Sequence, residues 1–210
     1  MMKKQILLVS SGVFHPPLRG RLKFQKFLNS LDGFVLTRVP SLEYLPKISL
    51  IPAAVALYIH HKRISPETLE ALERYVSGGG GLLAVHSATA SFKTCVPYFE
   101  ILGGRFTGHG AVTSLRIQPN QIEHGPGSLF NGIEPFTIKD ELYLHELHPG
   151  IQPHFYTEYE GEKVPIVWTY RYGQGRVCYI MPGHLSASLT HPSIQEILRR
   201  AIHWVSGGDV

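Results

Sequence analysis

The sequence predicts an α/β protein, doubly wound, with helices on both faces of a mostly parallel sheet. Three observations carry that prediction. Leu82-Leu83-Ala84-Val85 is apolar at every position, the pattern of a central parallel strand covered on both faces. Before it, Ser65-Pro66-Glu67 reads as a helix start and Gly78-Gly79-Gly80-Gly81 as its stop, because Ser caps, Pro suits the first turn and Gly ends helices. Short apolar runs alternate with helically spaced stretches up to that point, as crossovers between parallel strands require.

The elements follow in order. Ile6 to Ser10 is the first strand, and Ser11-Gly12 turns it out toward a rigid His15-Pro16-Pro17 loop. Leu22, Phe24, Phe27, Leu28 and Leu31 have helical spacing within 20–31, and Phe34 to Val39 is a second strand. Ala53 to Ile59 is the third strand, ending in His60-His61. The helix from Ser65 feeds the central strand, which ends at His86-Ser87. A short helix surrounds Pro97 to Leu102, and the glycines around His109 read as a loop. Residues 112–118 alternate like a strand, 119–132 read as a loop, and 144–163 as irregular chain. Val164 to Tyr170 and Arg176 to Ile180 form a hairpin about Gly173-Gln174-Gly175. Pro192 opens a last amphipathic helix with Ile194, Ile197, Leu198, Ile202, Trp204 and Val205 on its buried side.

Composition narrows the function. The 210 residues fit one domain over 1–210, with a sizeable core. Hydrophobic residues are 43% and charged ones 17%, which excludes a disordered chain. A net charge of +4 with scattered basic pairs leaves no stripe for phosphates, so nucleic acid is not an expected partner. No run is long and apolar enough to span a membrane, and the first apolar run is too short for a signal peptide. Cys95 and Cys178 lack metal or disulfide spacing, which points to the cytoplasm. Gly78 to Gly81 precedes a strand rather than a helix, so no nucleotide cofactor is expected. Twelve histidines direct attention to imidazole chemistry, acid–base or metal.

Several stretches together resemble one family. Gly78 to Ala88 is similar to the GGG-x-HSA element of ThuA-like (trehalose utilisation) proteins, and Gly103 to His109 to their GG-x-F-x-GH element. Asp140-Glu141-Leu142-Tyr143 resembles their DE-x-Y element and Pro165-Ile166-Val167-Trp168 their P-V-x-W strand. Gly173 to Val177 followed by Gly183-His184 resembles their G-x-GRV and GH pair. The resemblance implies a class I glutamine amidotransferase-like, flavodoxin-like fold. It implies a sugar-directed function as well. Where working amidotransferases of that superfamily carry a cysteine, this chain has His86, so glutamine hydrolysis through a thioester is not expected. The family's D-H-P appears as Glu123-His124-Gly125-Pro126, a departure that removes His124 from the candidate set.

The expected site gathers His86, His109, His184 and Glu141 as catalytic residues and as ligands of a divalent metal such as zinc. His15, Ser87 and Tyr143 are expected to contact substrate, and Asp140 to cap or orient. Ser87 as a nucleophile is disfavoured, because the flanking glycines of G-x-S-x-G are missing. The remaining histidines are assigned to structure. The expected substrate is a small sugar or keto-sugar, the expected reaction a hydrolysis, elimination or isomerisation, and the expected assembly a homodimer. The alternative is a non-catalytic sugar-binding or regulatory module on the same fold.

Overall fold

The computed structural model describes residues 3–12, 15–121 and 128–208. Among them nine strands form one sheet in the order β2-β1-β3-β4-β9-β8-β7-β5-β6. β1 (Lys4–Ser11), β2 (Phe34–Val39), β3 (Ala54–Ile59), β4 (Gly81–Val85) and β9 (Gly175–Ile180) run parallel. β5 (Gly104–Pro119), β6 (Phe136–Leu147), β7 (Pro153–Tyr159) and β8 (Glu162–Tyr172) add antiparallel ladders beyond β9. The sheet is therefore mixed, half parallel and half antiparallel, rather than mostly parallel.

The centre of the parallel half is fully covered. β3 and β4 are buried at every residue, which is why they read as unbroken apolar runs. Helices α1 (Leu18–Asn29) and α4 (Pro192–Val205) meet around a 3-10 turn at Ser188–Thr190, while α2 (Pro66–Ser77) packs beside α3 (Val96–Leu102). Ser65 caps α2 as predicted, its hydroxyl accepting from the Thr68 amide at 3.3 Å and donating to Glu43 at 2.8 Å. α4 buries Ile194, Ile197, Leu198, Ile202 and Val205, whereas Trp204 is only half-buried. In α1 the face turned inward carries Phe24 and Leu28, and Leu22 is exposed.

Three sequence expectations change here. The glycine-rich stretch around His109 is strand, not loop: β5 runs 16 residues, with two irregularities in its register against β6, at Phe106/Gly108 and at His109/Val112. Glycines at 108 and 110 mark bulges inside a strand, which a local reading mistakes for a loop. Residues 144–163 hold the end of β6, all of β7 and the start of β8, joined by a turn at Glu160-Gly161 with positive φ. The second crossover, between β2 and β3, is a 3-10 segment at Leu42–Lys47. Part of the expected 119–132 loop, including His124, lies outside the described residues.

Candidate functional site

The site forms where β4 and β9 end side by side. Val85 pairs with Ile180, so the next residues of the two strands, His86 and Met181, remain neighbours. His86 sits at a positive φ of 46° at the start of a 3-10 turn, His86–Ala88. For a non-glycine residue that conformation is strained and persists only where its surroundings enforce it. They do so here: the His86 carbonyl accepts from the Tyr179 hydroxyl at 3.0 Å and the Thr89 hydroxyl at 3.2 Å. Its ring stacks on Tyr143, centroids 4.1 Å apart.

The ring's polarity follows. Nδ1 lies 2.9 Å from the Met181 carbonyl, which can only accept, so Nδ1 carries the proton and Nε2 presents a lone pair. Complete burial drives the His86 pKa down to about 3, by desolvation before any other cause. His86 is thus a neutral imidazole. Its Nε2 is buried without a hydrogen-bond partner among the described residues and faces Glu141 Oε2 at 3.8 Å.

The β5–β6 hairpin carries Glu141 across these strand ends, and the loop after β9 brings His184. Nδ1 of His184 lies 3.1 Å from Glu141 Oε2 yet outside hydrogen-bond geometry, and it too is buried without a partner among the described residues. The ligand atoms of His86, Glu141 and His184 all lie within 4.8 Å of one another, a group that can hold a metal ion. His109, opposite Tyr143 in the β5–β6 ladder, is exposed and places Nδ1 3.4 Å from Glu141 Oε1. The bulges on either side of His109 set the direction of its ring. His15 stands against His184 at 4.9 Å between ring centroids, its pKa lowered by desolvation and then by His184. His15, His184 and Leu185 also line an adjoining cavity of about 500 Å³.

So His86, His109, His184, Glu141, Tyr143 and His15 converge. Ser87 is next to them in sequence but fully buried, its hydroxyl without a partner among the described residues and closed to solvent. Of the histidines assigned to structure, His145 is half-buried behind the site and held by Thr89 at 3.0 Å, and His191 caps α4. His60 is exposed at the rim, 5.9 Å from His15. Cys178 is buried and Cys95 half-buried; neither adjoins the site's donors. Sequence reasoning missed Met181, whose carbonyl fixes the His86 tautomer, and Tyr58, whose hydroxyl donates to the Gly183 carbonyl. No local signal marks either, since both act across strands.

A parallel core with a strained residue after its central strand, and imidazole where a thiolate nucleophile would stand, defines a class I glutamine amidotransferase-like protein without the amidotransferase cysteine. Within that class the chain belongs to the ThuA (trehalose utilisation) family, whose model matches residues 39–205. Among solved structures, a thua-like protein from Parabacteroides merdae ATCC 43184 is similar at 18% identity and TM-score 0.83, over 99% of this chain and 92% of that one. A thua-like protein from Bacteroides uniformis ATCC 8492 is similar at 19% identity and TM-score 0.78, over 99% and 94%. A cytoplasmic protein from Salmonella typhimurium LT2 follows at 12% identity and TM-score 0.73, over 96% and 99%. At these identities the likeness concerns the fold. No curated protein matches the sequence.

Proposed function

We propose that this chain is an enzyme of sugar catabolism, acting on a sugar or keto-sugar with a divalent metal such as zinc held by His86, His184 and Glu141. One observation carries the reading: the His86 lone pair and the Glu141 carboxylate, both acceptors, face each other with no donor between them among the described residues. Two acceptors turned toward one point call for a cation there. The fixed His86 tautomer fits as well, because metal-bound imidazoles donate their other N–H to a carbonyl or carboxylate. The family's description, trehalose utilisation, supports sugar as the substrate class. The strand order of the parallel half, β2-β1-β3-β4-β9, favours a doubly wound, flavodoxin-like core with its ligand beyond the carboxyl ends of the strands.

Held by His86, His184 and Glu141, a divalent ion would supply Lewis acidity toward a carbonyl or hydroxyl of the substrate. The residues of the chain do the rest. His86 stays neutral and donates no proton to substrate. His109, exposed at the mouth beside Glu141, takes the proton-transfer role, with Glu141 orienting its ring. Tyr143 packs against His86 and excludes water from that side of the ring. Isomerisation, elimination and hydrolysis of a keto-sugar all use this arrangement.

Elemental analysis of protein purified without a histidine tag tests the proposal. One divalent ion per chain is expected, lost in His86→Ala and in His184→Ala, together with keto-sugar proton exchange or turnover that chelators stop. Absence of metal under every loading condition overturns the metal site. Sugar affinity without turnover moves the chain to the binding-module reading.

A further inference from the structure

We infer that Asp140 and Tyr58 are positioning residues that pin the Gly183-His184 segment against Glu141 and thereby set the spacing of the donor cluster. The inference rests on the metal reading above and adds to it the residues that build the site's geometry. Asp140 is fully buried, and its carboxylate accepts from backbone amides of two segments, with the Ser188 hydroxyl as a further partner. Oδ1 accepts from Glu141 N at 2.8 Å and Leu185 N at 3.1 Å, and Oδ2 accepts from Gly183 N at 2.8 Å. A buried carboxylate is costly unless its charge is met by hydrogen bonds. Here the amides that meet it come from β6 and from the loop carrying His184, so the carboxylate ties one donor-bearing segment to the other.

Tyr58, at the end of β3, holds the same residue from the opposite side through its hydrogen bond to the Gly183 carbonyl. Gly183 is therefore fixed at both its N–H and its C=O. It also lies against His86: a Cβ on Gly183 would sit 2.8 Å from the His86 Cβ, a separation that real Cβ atoms do not adopt. The loop is thus held from β3 by Tyr58, from β6 by Asp140 and from β4 by His86. These contacts fix the backbone that carries His184 relative to Glu141.

Two variants test this. Asp140→Asn keeps the size of the side chain and turns an acceptor into a donor facing a donor amide. Tyr58→Phe removes one hydroxyl and leaves the ring in the core. Zn²⁺ is titrated calorimetrically into the metal-free full chain, and amide exchange is followed at Gly183 and Leu185. For Asp140→Asn the expected loss of Zn²⁺ affinity is about 10–100-fold, the usual effect of removing an outer partner, with a smaller loss for Tyr58→Phe. Exchange should accelerate at Gly183 and Leu185 while β3, β4 and β9 keep their protection. Leu198→Ala in α4 is the control: it destabilises the fold and leaves the Zn²⁺ affinity of the folded protein unchanged. Wild-type Zn²⁺ affinity and wild-type exchange at the two amides in both variants would overturn the inference. If the parent chain binds no Zn²⁺, the metal reading falls and the exchange data alone decide the clamp, unchanged exchange overturning it. If Asp140→Asn does not fold, Tyr58→Phe is measured in the same two ways: faster exchange with weaker Zn²⁺ binding supports the clamp, and wild-type values for both overturn it.

Discussion

At His86 the direction of one hydrogen bond decides what the ring offers to the site. Because Nδ1 donates to Met181, the ring has a lone pair for a cation and no second proton to give. Its burial also has a thermodynamic signature, shared with His145. His86 is fully buried and His145 half-buried, and both are held neutral down to about 3 by desolvation, whereas in the unfolded chain each returns to the ordinary 6.5. Between those values the unfolded chain binds protons that the folded chain does not. Stability is therefore complete above pH 6.5 and falls as pH drops toward 3, by about 1.4 kcal/mol per pH unit for each histidine. Urea midpoints followed downward from neutral pH should show this slope, and His145→Leu should make it shallower by about one proton. An unchanged slope in that variant would refute the neutral state of His145. Most of the donor set was legible at this scale, since His86, Glu141 and His184 each stand within a recognisable motif. Asp140's partners, Tyr58 and Met181 were not, because hydrogen bonds between distant strands leave no trace in neighbouring residues.

Among the elements, legibility tracked how local the physics is. Helices α2 and α4 announced themselves through caps, prolines and spacing, and hairpin β8–β9 through its Gly-containing turn. Ser65→Ala tests one such cap. Its hydroxyl meets both the Thr68 amide and Glu43, so the expected loss is about 1 kcal/mol, read as a shift in the urea midpoint with no change in metal affinity. An effect on metal affinity would mean that α2 is coupled to the site. The first part of β5, and β6 and β7, were hidden because glycine, proline and histidine interrupt their alternation, although 112–118 read as strand and Phe155, Thr157 and Tyr159 keep period two before the Glu160-Gly161 turn. The bulges that obscured β5 are also what aims His109. Deletion of Thr107 removes the extra residue of the first bulge; His109 stays opposite Tyr143, but the local bend and twist that aim its ring at Glu141 are lost. Turnover should then fall, with the β6 amides still protected; retained turnover in His109→Ala itself would exclude His109 from the chemistry.

For the whole molecule, the parallel half and the β8–β9 hairpin could be read, whereas β6, β7 and the first part of β5 could not, which is why the sheet proved mixed. Alternating strand and helix signals dictate β1 to β4, but nothing in sequence order says that the ninth strand, not the fifth, lies beside β4. That placement has a consequence for how the chain comes into being. During synthesis β1 to β4 emerge about ninety residues ahead of β9, and until β9 arrives one side of β4 is an unpaired, wholly apolar strand edge of the kind that recruits other chains. The strand that closes this edge also delivers His184. Completion of the sheet and completion of the donor set are one event, so a nascent or truncated chain lacking β9 is at once sticky and inert, and a chain that has its site has already lost its most hazardous edge.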